Sequence, residues 1–266
     1  MPNCRLATVA AVASLALAAA CGSGDDNSSG SGSSPAAPRS GGASGTVTVF
    51  AAASLTESFT TLGRQFEAAH PGTTVKFNFG ASSSLAENID QGAPADVFAS
   101  ASPKNMQQVV DADWASDSKT FAKNVMQIAV PADNPADVRE VTDLAKSNVK
   151  VALCQPQVPC GAVAQQVFKN VNITVKPVTQ GADVKAVLTT VRLGEVDAGM
   201  VYQTDVRAAG TEVTGIEIPV DQNASTSYPI AALTEAPNPA GAAAFVDYVL
   251  SPDGEKVLEQ AGFTAP

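Results

Sequence analysis

Apolar and polar residues alternate in Thr46-Val47-Thr48-Val49-Phe50 and again in Thr74-Val75-Lys76-Phe77-Asn78-Phe79, the period-two pattern of a half-buried strand. Each run gives way to small residues, Ala51-Ala52-Ala53-Ser54-Leu55 and Gly80-Ala81-Ser82-Ser83-Ser84-Leu85, and then to helical spacing. Phe59, Leu62 and Phe66 share one face of a helix predicted from Ser54 to His70, with Pro71-Gly72 as its end and Ser54 and Glu57 as a capping box. A second helix is predicted from Ser82 to Gln91, with Leu85 and Ile89 on one face and Gly92 as the stop; Ser84 and Glu87 offer it an alternative capping-box start. The pattern then predicts strands at Asp96–Ala99, Val125–Val130, Val149–Leu153, Ala198–Val201 and Ile230–Leu233. Between them it predicts helices at Asn105–Val110 and Cys160–Asn170, a helix capped by Asp183 that runs through Val187, Leu188 and Val191, and closing helices at Ala240–Leu250 and Gly254–Gln260. Short strands alternating with amphipathic helices, with no internal repeat and no sustained heptads, make an α/β fold.

The two strand–small-residue–serine corners carry chemistry. A strand that stops at small residues and opens a helix with serine leaves free backbone N–H groups at the positive end of the helix dipole. The serine hydroxyl can accept from the helix backbone and still donate to a ligand. Two such corners side by side would grip an oxyanion without a cationic side chain. One serine at one helix start is by itself only a cap; the ordered set points to a site.

Composition adds an address. Met1–Arg5 is weakly basic and Ala7–Ala20 is an apolar run of small residues and leucines, too short for a permanent membrane span. The run ends at Ala18-Ala19-Ala20-Cys21-Gly22, with Leu17 four residues before the cysteine. This resembles a bacterial lipoprotein signal, which implies cleavage before Cys21 and lipid on its thiol. Ala18 stands where a large aliphatic residue is usual, and the alternative is an ordinary secretory signal cut near Ala20. Either way residues 1–20 are a signal peptide and the protein is exported. Residues 21–45, rich in Ser, Gly, Ala, Pro and Asp, form no core and read as a flexible tether. The formal net charge of −10 argues against nucleic acids and acidic membranes. It also gives an anion no long-range attraction, so anion binding must come from local dipoles. Of the four cysteines, Cys4 leaves with the signal, Cys21 takes lipid, and Cys154 and Cys160 remain as a disulfide pair for an oxidising compartment. One histidine, His70, and no further mature cysteine argue against zinc.

With these residues in order, the chain resembles the periplasmic molybdate-binding proteins of ABC transporters. The resemblance rests on Val49–Leu55, Gly80–Ala86 and Gly92-Ala93-Pro94-Ala95-Asp96-Val97-Phe98. It continues in Val158-Pro159-Cys160-Gly161, Ala182-Asp183-Val184-Lys185, Val201-Tyr202-Gln203-Thr204-Asp205 and Gly262-Phe263. It implies a two-lobe, type II-like periplasmic-binding-protein fold with a ligand cleft between the lobes. Residues 46–123 and 229–266 would form lobe 1 and residues 124–228 lobe 2. It further implies that Ser54 and Ser82 donate to molybdate or tungstate through hydroxyl and backbone N–H. Cys160 and Val184 would donate through N–H, and Tyr202 through its phenol. Cys160 replaces a different small residue in the family, which leaves the N–H in place. The implied partners are an ABC permease with its ATPase, and a membrane met only through the lipid, the protein itself being a monomer without cofactor.

Two other functions compete. The same scaffold could hold sulfate, phosphate or a metal cation; a cation would want clustered carboxylates, histidines or paired tyrosines, which the sequence lacks. A serine hydrolase using Ser54 or Ser82 would need a base, but His70 is the only imidazole and neither serine sits in a Gly-x-Ser-x-Gly elbow.

Overall fold

The computed structural model describes residues 43–266. Its elements run β1 (Gly45–Ala52), a 3-10 turn (Ala53–Leu55), α1 (Thr56–Ala69), β2 (Thr73–Gly80), α2 (Ser82–Asp90), β3 (Val97–Ala99), α3 (Pro103–Asp111) and β4 (Lys119–Pro131). After a 3-10 turn at Val141–Ala145 come β5 (Val151–Cys154), α4 (Pro159–Asn170), β6 (Thr179–Gly181), α5 (Val184–Arg192), β7 (Ala198–Tyr202) and α6 (Gln203–Ala209). The chain closes with β8 (Val213–Ile216), β9 (Ser225–Ala232), α7 (Pro239–Val249) and α8 (Pro252–Ala261). The strands form a mixed sheet in the order β2-β1-β3-β9-β4-β7-β5-β6, with β8 also on β4. β2, β1 and β3 are parallel, as are β7, β5 and β6; antiparallel β9 and β4 join the two groups. β4 pairs with β9 through Lys119–Val125 and with β7 through Met126–Ala129. The α/β class expected from the sequence is the one observed.

Both faces of the first group are covered, as parallel strands require. Val47, Val49 and Ala51 of β1 pack with Phe59, Leu62 and Phe66 of α1 and Phe245 of α7. Phe50 points the other way, to Leu85 and Ile89 of α2, Phe98 of β3 and Met106 of α3. The second group has its own core, in which Ile128, Val151 and Val201 meet Val167 of α4 and Leu188 of α5. The predicted helices and strands are observed, with three kinds of departure. α6 (Gln203–Ala209) is a helix that the pattern does not mark. β6 and β8 are strands that the pattern does not mark, because they are short and carry Thr, Gln or Gly. β4 and β9 begin well before their apolar stretches, at Lys119 and Ser225, since they pair with each other through polar residues. The expected signal peptide, the expected lipid site Cys21 and the expected tether up to residue 42 lie outside the described residues. Ala43, Ser44 and Gly45, which composition assigns to the tether, are held: the carbonyl of Ala43 accepts from Thr73 Oγ1 at 2.7 Å, that of Ser44 accepts from Asn238 Nδ2 at 2.8 Å, and Gly45 is the first residue of β1.

Candidate binding site

The ends of β1, β2 and β7 and the segments that follow β3, β5 and β6 meet at one cavity, outside the carboxyl ends of strands, where α/β sheets hold their ligands. Ser54, Ser82, Cys160, Val184 and Tyr202, the five positions singled out from the sequence, all line it. The cavity is small, about 20 Å³, on a scale where one water takes about 10–15 Å³. That suits a compact ion and not a sugar or a peptide. There are larger hollows of about 410 and 370 Å³, the second of which shares Ser54 with this cavity, but neither is lined by a buried side-chain polar atom that lacks a partner.

Each position has a local cause. Ser54 sits inside the 3-10 turn and does not cap α1, nor does its side chain pair with Glu57. The residue at the N-cap of α1 is Leu55, with helical angles (φ −91°, ψ −2°), whereas a capping box needs an extended N-cap residue. Freed from capping, Ser54 Oγ lies 2.8 Å from Tyr228 Oη. Ser82 is the first residue of α2, after extended Ala81, so the alternative start at Ser84 is not used. Its Oγ accepts from the backbone N–H of Ala101 at 2.9 Å. Cys160 follows Pro159, which takes the first position of α4, where its missing N–H costs nothing. Cys160 is disulfide-bonded to Cys154, with Cα atoms 5.8 Å apart. Gly161 must be glycine, because a Cβ there would lie 2.0 Å from the carbonyl oxygen of Gln155. Val184 opens α5; Asp183 before it turns its carboxylate back to accept from Ala186 N at 2.9 Å. Ser82, Cys160 and Val184 therefore all sit in first turns, whose N–H groups have no acceptor within the helix.

Tyr202 ends β7 and is 1% exposed. Among the described residues, only its Oη and Asp205 Oδ1 are buried side-chain polar atoms without a hydrogen-bond partner. Burial, with Tyr228 and Asp205 nearby, raises the Tyr202 phenol well above its usual range, so it keeps its proton and can donate. Asp205 accepts from Tyr202 N through Oδ2 at 3.1 Å, and its Oδ1 lies 3.1 Å from Lys185 Nζ, an ion pair out of line for a hydrogen bond. Burial pushes the Asp205 carboxyl up to about 6, against the pull of Lys185. Burial opposes the charge on Lys185, but Asp205 and Glu57 outweigh it and raise the ammonium's pKa. The buried carboxylate that holds the Tyr202 backbone is thereby matched with a cation. Sequence reasoning did not assign roles to Lys185, Asp205, Tyr228 or Asn124. The first two lie inside the quoted motifs but read as surface charge; the others precede or begin apolar stretches, and no local signal marks them as buried.

Ser54 and Ser82 thus share a small cavity with neutral donors, and its one charged lining residue, Asp183, is turned into the start of α5. His70 packs against Phe66, with tilted rings whose centroids are 4.3 Å apart, at the far end of α1, a 14-residue helix about 21 Å long. The chain belongs to the family described as bacterial extracellular solute-binding protein, which matches residues 47–264; it is a solute-binding protein and not an enzyme. Over 234 residues it is 41% identical to the molybdate-binding protein ModA of Mycobacterium tuberculosis, covering 88% of this chain and 89% of that protein. Its structure is similar to the periplasmic molybdate-binding protein of Azotobacter vinelandii, with a TM-score of 0.75, 20% identity, and coverage of 83% of this chain and 99% of that one. It is also similar to the sulfate-binding protein SubI of Mycobacterium tuberculosis, with a TM-score of 0.71, 20% identity, and coverage of 83% and 86%. These two structural likenesses show a common fold alone.

Proposed function

We propose that this protein captures molybdate, and tungstate with it, in this cavity and delivers it to an ABC permease. The observation that carries the reading is the hydroxyl of Tyr202, buried, protonated and without a partner, in a cavity lined by four further donor positions. A dianion there would take hydroxyl and N–H bonds from Ser54 and Ser82, N–H bonds from Cys160 and Val184, and the phenol of Tyr202. The mycobacterial relative named for molybdate binding supports the choice of ligand. Charge-assisted bonds contribute about 1.5–3 kcal/mol each, and anion desolvation and lobe closure offset much of the sum. In this reading residues 46–123 with 229–266 close against residues 124–228, bending where β4 and β9 pass between them. Lipid on Cys21 and the tether hold the lobes at the outer face of the membrane beside the permease.

Calorimetric titration with molybdate, tungstate and sulfate tests the ligand. Sulfate carries the same charge and shape on shorter bonds, so only cavity size separates the two. Submicromolar binding of molybdate and tungstate with far weaker sulfate binding is expected; sulfate bound as tightly as molybdate would overturn the choice. Mass spectrometry of the membrane fraction should find the mature N-terminus at Cys21 carrying acyl chains, and an unmodified Cys21 there would refute the anchor.

A further inference from the structure

Ser54 does not face the cavity alone. Its Oγ lies 2.8 Å from Tyr228 Oη, and Tyr228 Oη also lies 3.4 Å from Asn124 Nδ2. Either hydroxyl could donate in the Ser54–Tyr228 pair, and the choice matters. A serine that donates to tyrosine has no proton left for an anion; a serine that accepts from tyrosine keeps its proton for one.

Asn124 bears on the direction. Its Oδ1 accepts from the backbone N–H of Val125 at 3.0 Å, and its Nδ2 is 2.8 Å from Thr204 Oγ1. That orientation presents only N–H protons to Thr204 and Tyr228. Tyr228 Oη is therefore an acceptor toward Asn124 and keeps its own proton, which Ser54 Oγ, 2.8 Å away, is placed to accept. All four residues are buried, so no bulk water competes for these bonds. Ser82 is arranged alike by another route: its Oγ accepts from Ala101 N, which leaves its proton free as well. Asn124 lies on β4 and Tyr228 on β9, the two strands that join the halves of the sheet.

We infer that Tyr228 and Asn124 are positioning residues that hold the Ser54 hydroxyl as a donor aimed at the bound oxyanion. The inference rests on the molybdate reading above. Neither residue lines the cavity; both act through Ser54.

A double-mutant cycle tests this by calorimetry, with Tyr228→Phe, Ser54→Ala and the double variant each titrated with molybdate and with sulfate, and with thermal melting to confirm folding. Tyr228→Phe should weaken binding about three- to tenfold in the wild-type background, the worth of one ordinary hydrogen bond. It should change affinity less than about twofold in the Ser54→Ala background, where there is no hydroxyl to hold. Asn124→Ala should reproduce the pattern and serves if Tyr228→Phe melts early. A role in packing alone would weaken binding equally in both backgrounds and would overturn the relay. Tighter binding by Tyr228→Phe would mean that Ser54 had been donating to Tyr228, and would also overturn it. The cycle is read on whichever oxyanion the wild type holds, so wild-type preference for sulfate defeats the molybdate reading alone; a wild type that binds neither defeats both.

Discussion

At the scale of single residues the five cavity positions divide by how they donate. Ser54→Ala and Ser82→Ala each remove a hydroxyl that faces a desolvated ion and should weaken molybdate binding by about 1–3 kcal/mol. Val184→Ala leaves the backbone N–H in place and should cost much less. Calorimetry that ranked Val184→Ala above Ser54→Ala would show the roles to be misassigned. The disulfide bears on the same set. It brackets Gln155–Pro159 and ends on Cys160, so it closes a loop too short for much chain entropy to be at stake. Its effect should fall on the aim of the Cys160 N–H. Cys154→Ser should fold and bind molybdate modestly more weakly, and unchanged affinity would show that the bond does not organise the site. Gly161→Ala should weaken binding more than Cys154→Ser does, because a Cβ 2.0 Å from the Gln155 carbonyl must displace the loop that carries the donor.

At the scale of elements, α1, α5 and α6 meet at Lys185. Its ammonium bridges Glu57 of α1 at 2.8 Å and Asp205 of α6 at 3.1 Å. The two acids differ in burial, so they should differ in consequence. Glu57 is half exposed, and Glu57→Gln should shift stability by about 1 kcal/mol or less. Lys185→Met strands the buried Asp205 charge and should destabilise by about 3–5 kcal/mol, most of which Asp205→Asn in the same chain should restore. The Asp205 carboxyl also sets a pH dependence. Its folded value of about 6 lies above its ordinary 3.8, so the folded state holds the proton more tightly than the unfolded one. The stability this contributes is complete below about pH 4 and is lost as pH rises through 6. Melting curves should therefore show a decline across that window, which Asp205→Asn flattens; an unchanged slope would mean that Asp205 is not its source. The element pattern itself was largely legible. The spacing of Phe59, Leu62 and Phe66 marks α1, and the apolar runs at Val125–Val130 and Ile230–Leu233 mark parts of β4 and β9. The polar starts of those two strands were not legible, because Asn124 and Tyr228 are satisfied by partners distant in sequence.

At the scale of the whole molecule, a net charge of −10 repels a dianion at long range. Added salt should screen that repulsion and speed capture of molybdate in stopped-flow measurements. A rate that fell with salt would mean that a local positive field, not the net charge, governs approach. Alternation and helical spacing determined the α/β class, and the strand–small-residue–serine corners determined that helix N-termini would present donors. Both properties are local: they follow from period, from small side chains and from N–H groups that no residue of the same helix can reach. Only the tertiary structure decided that these strand ends and the segments after their neighbours converge on one cavity, since that depends on which strands pair across β4 and β9. Only it decided that Lys185 neutralises a buried Asp205 and that Tyr228 and Asn124 stand behind Ser54. Burial and partnership, which turn an ordinary Ser, Asn or Asp into part of a site, are properties of neighbours brought together from far along the chain, and no stretch of sequence carries them alone.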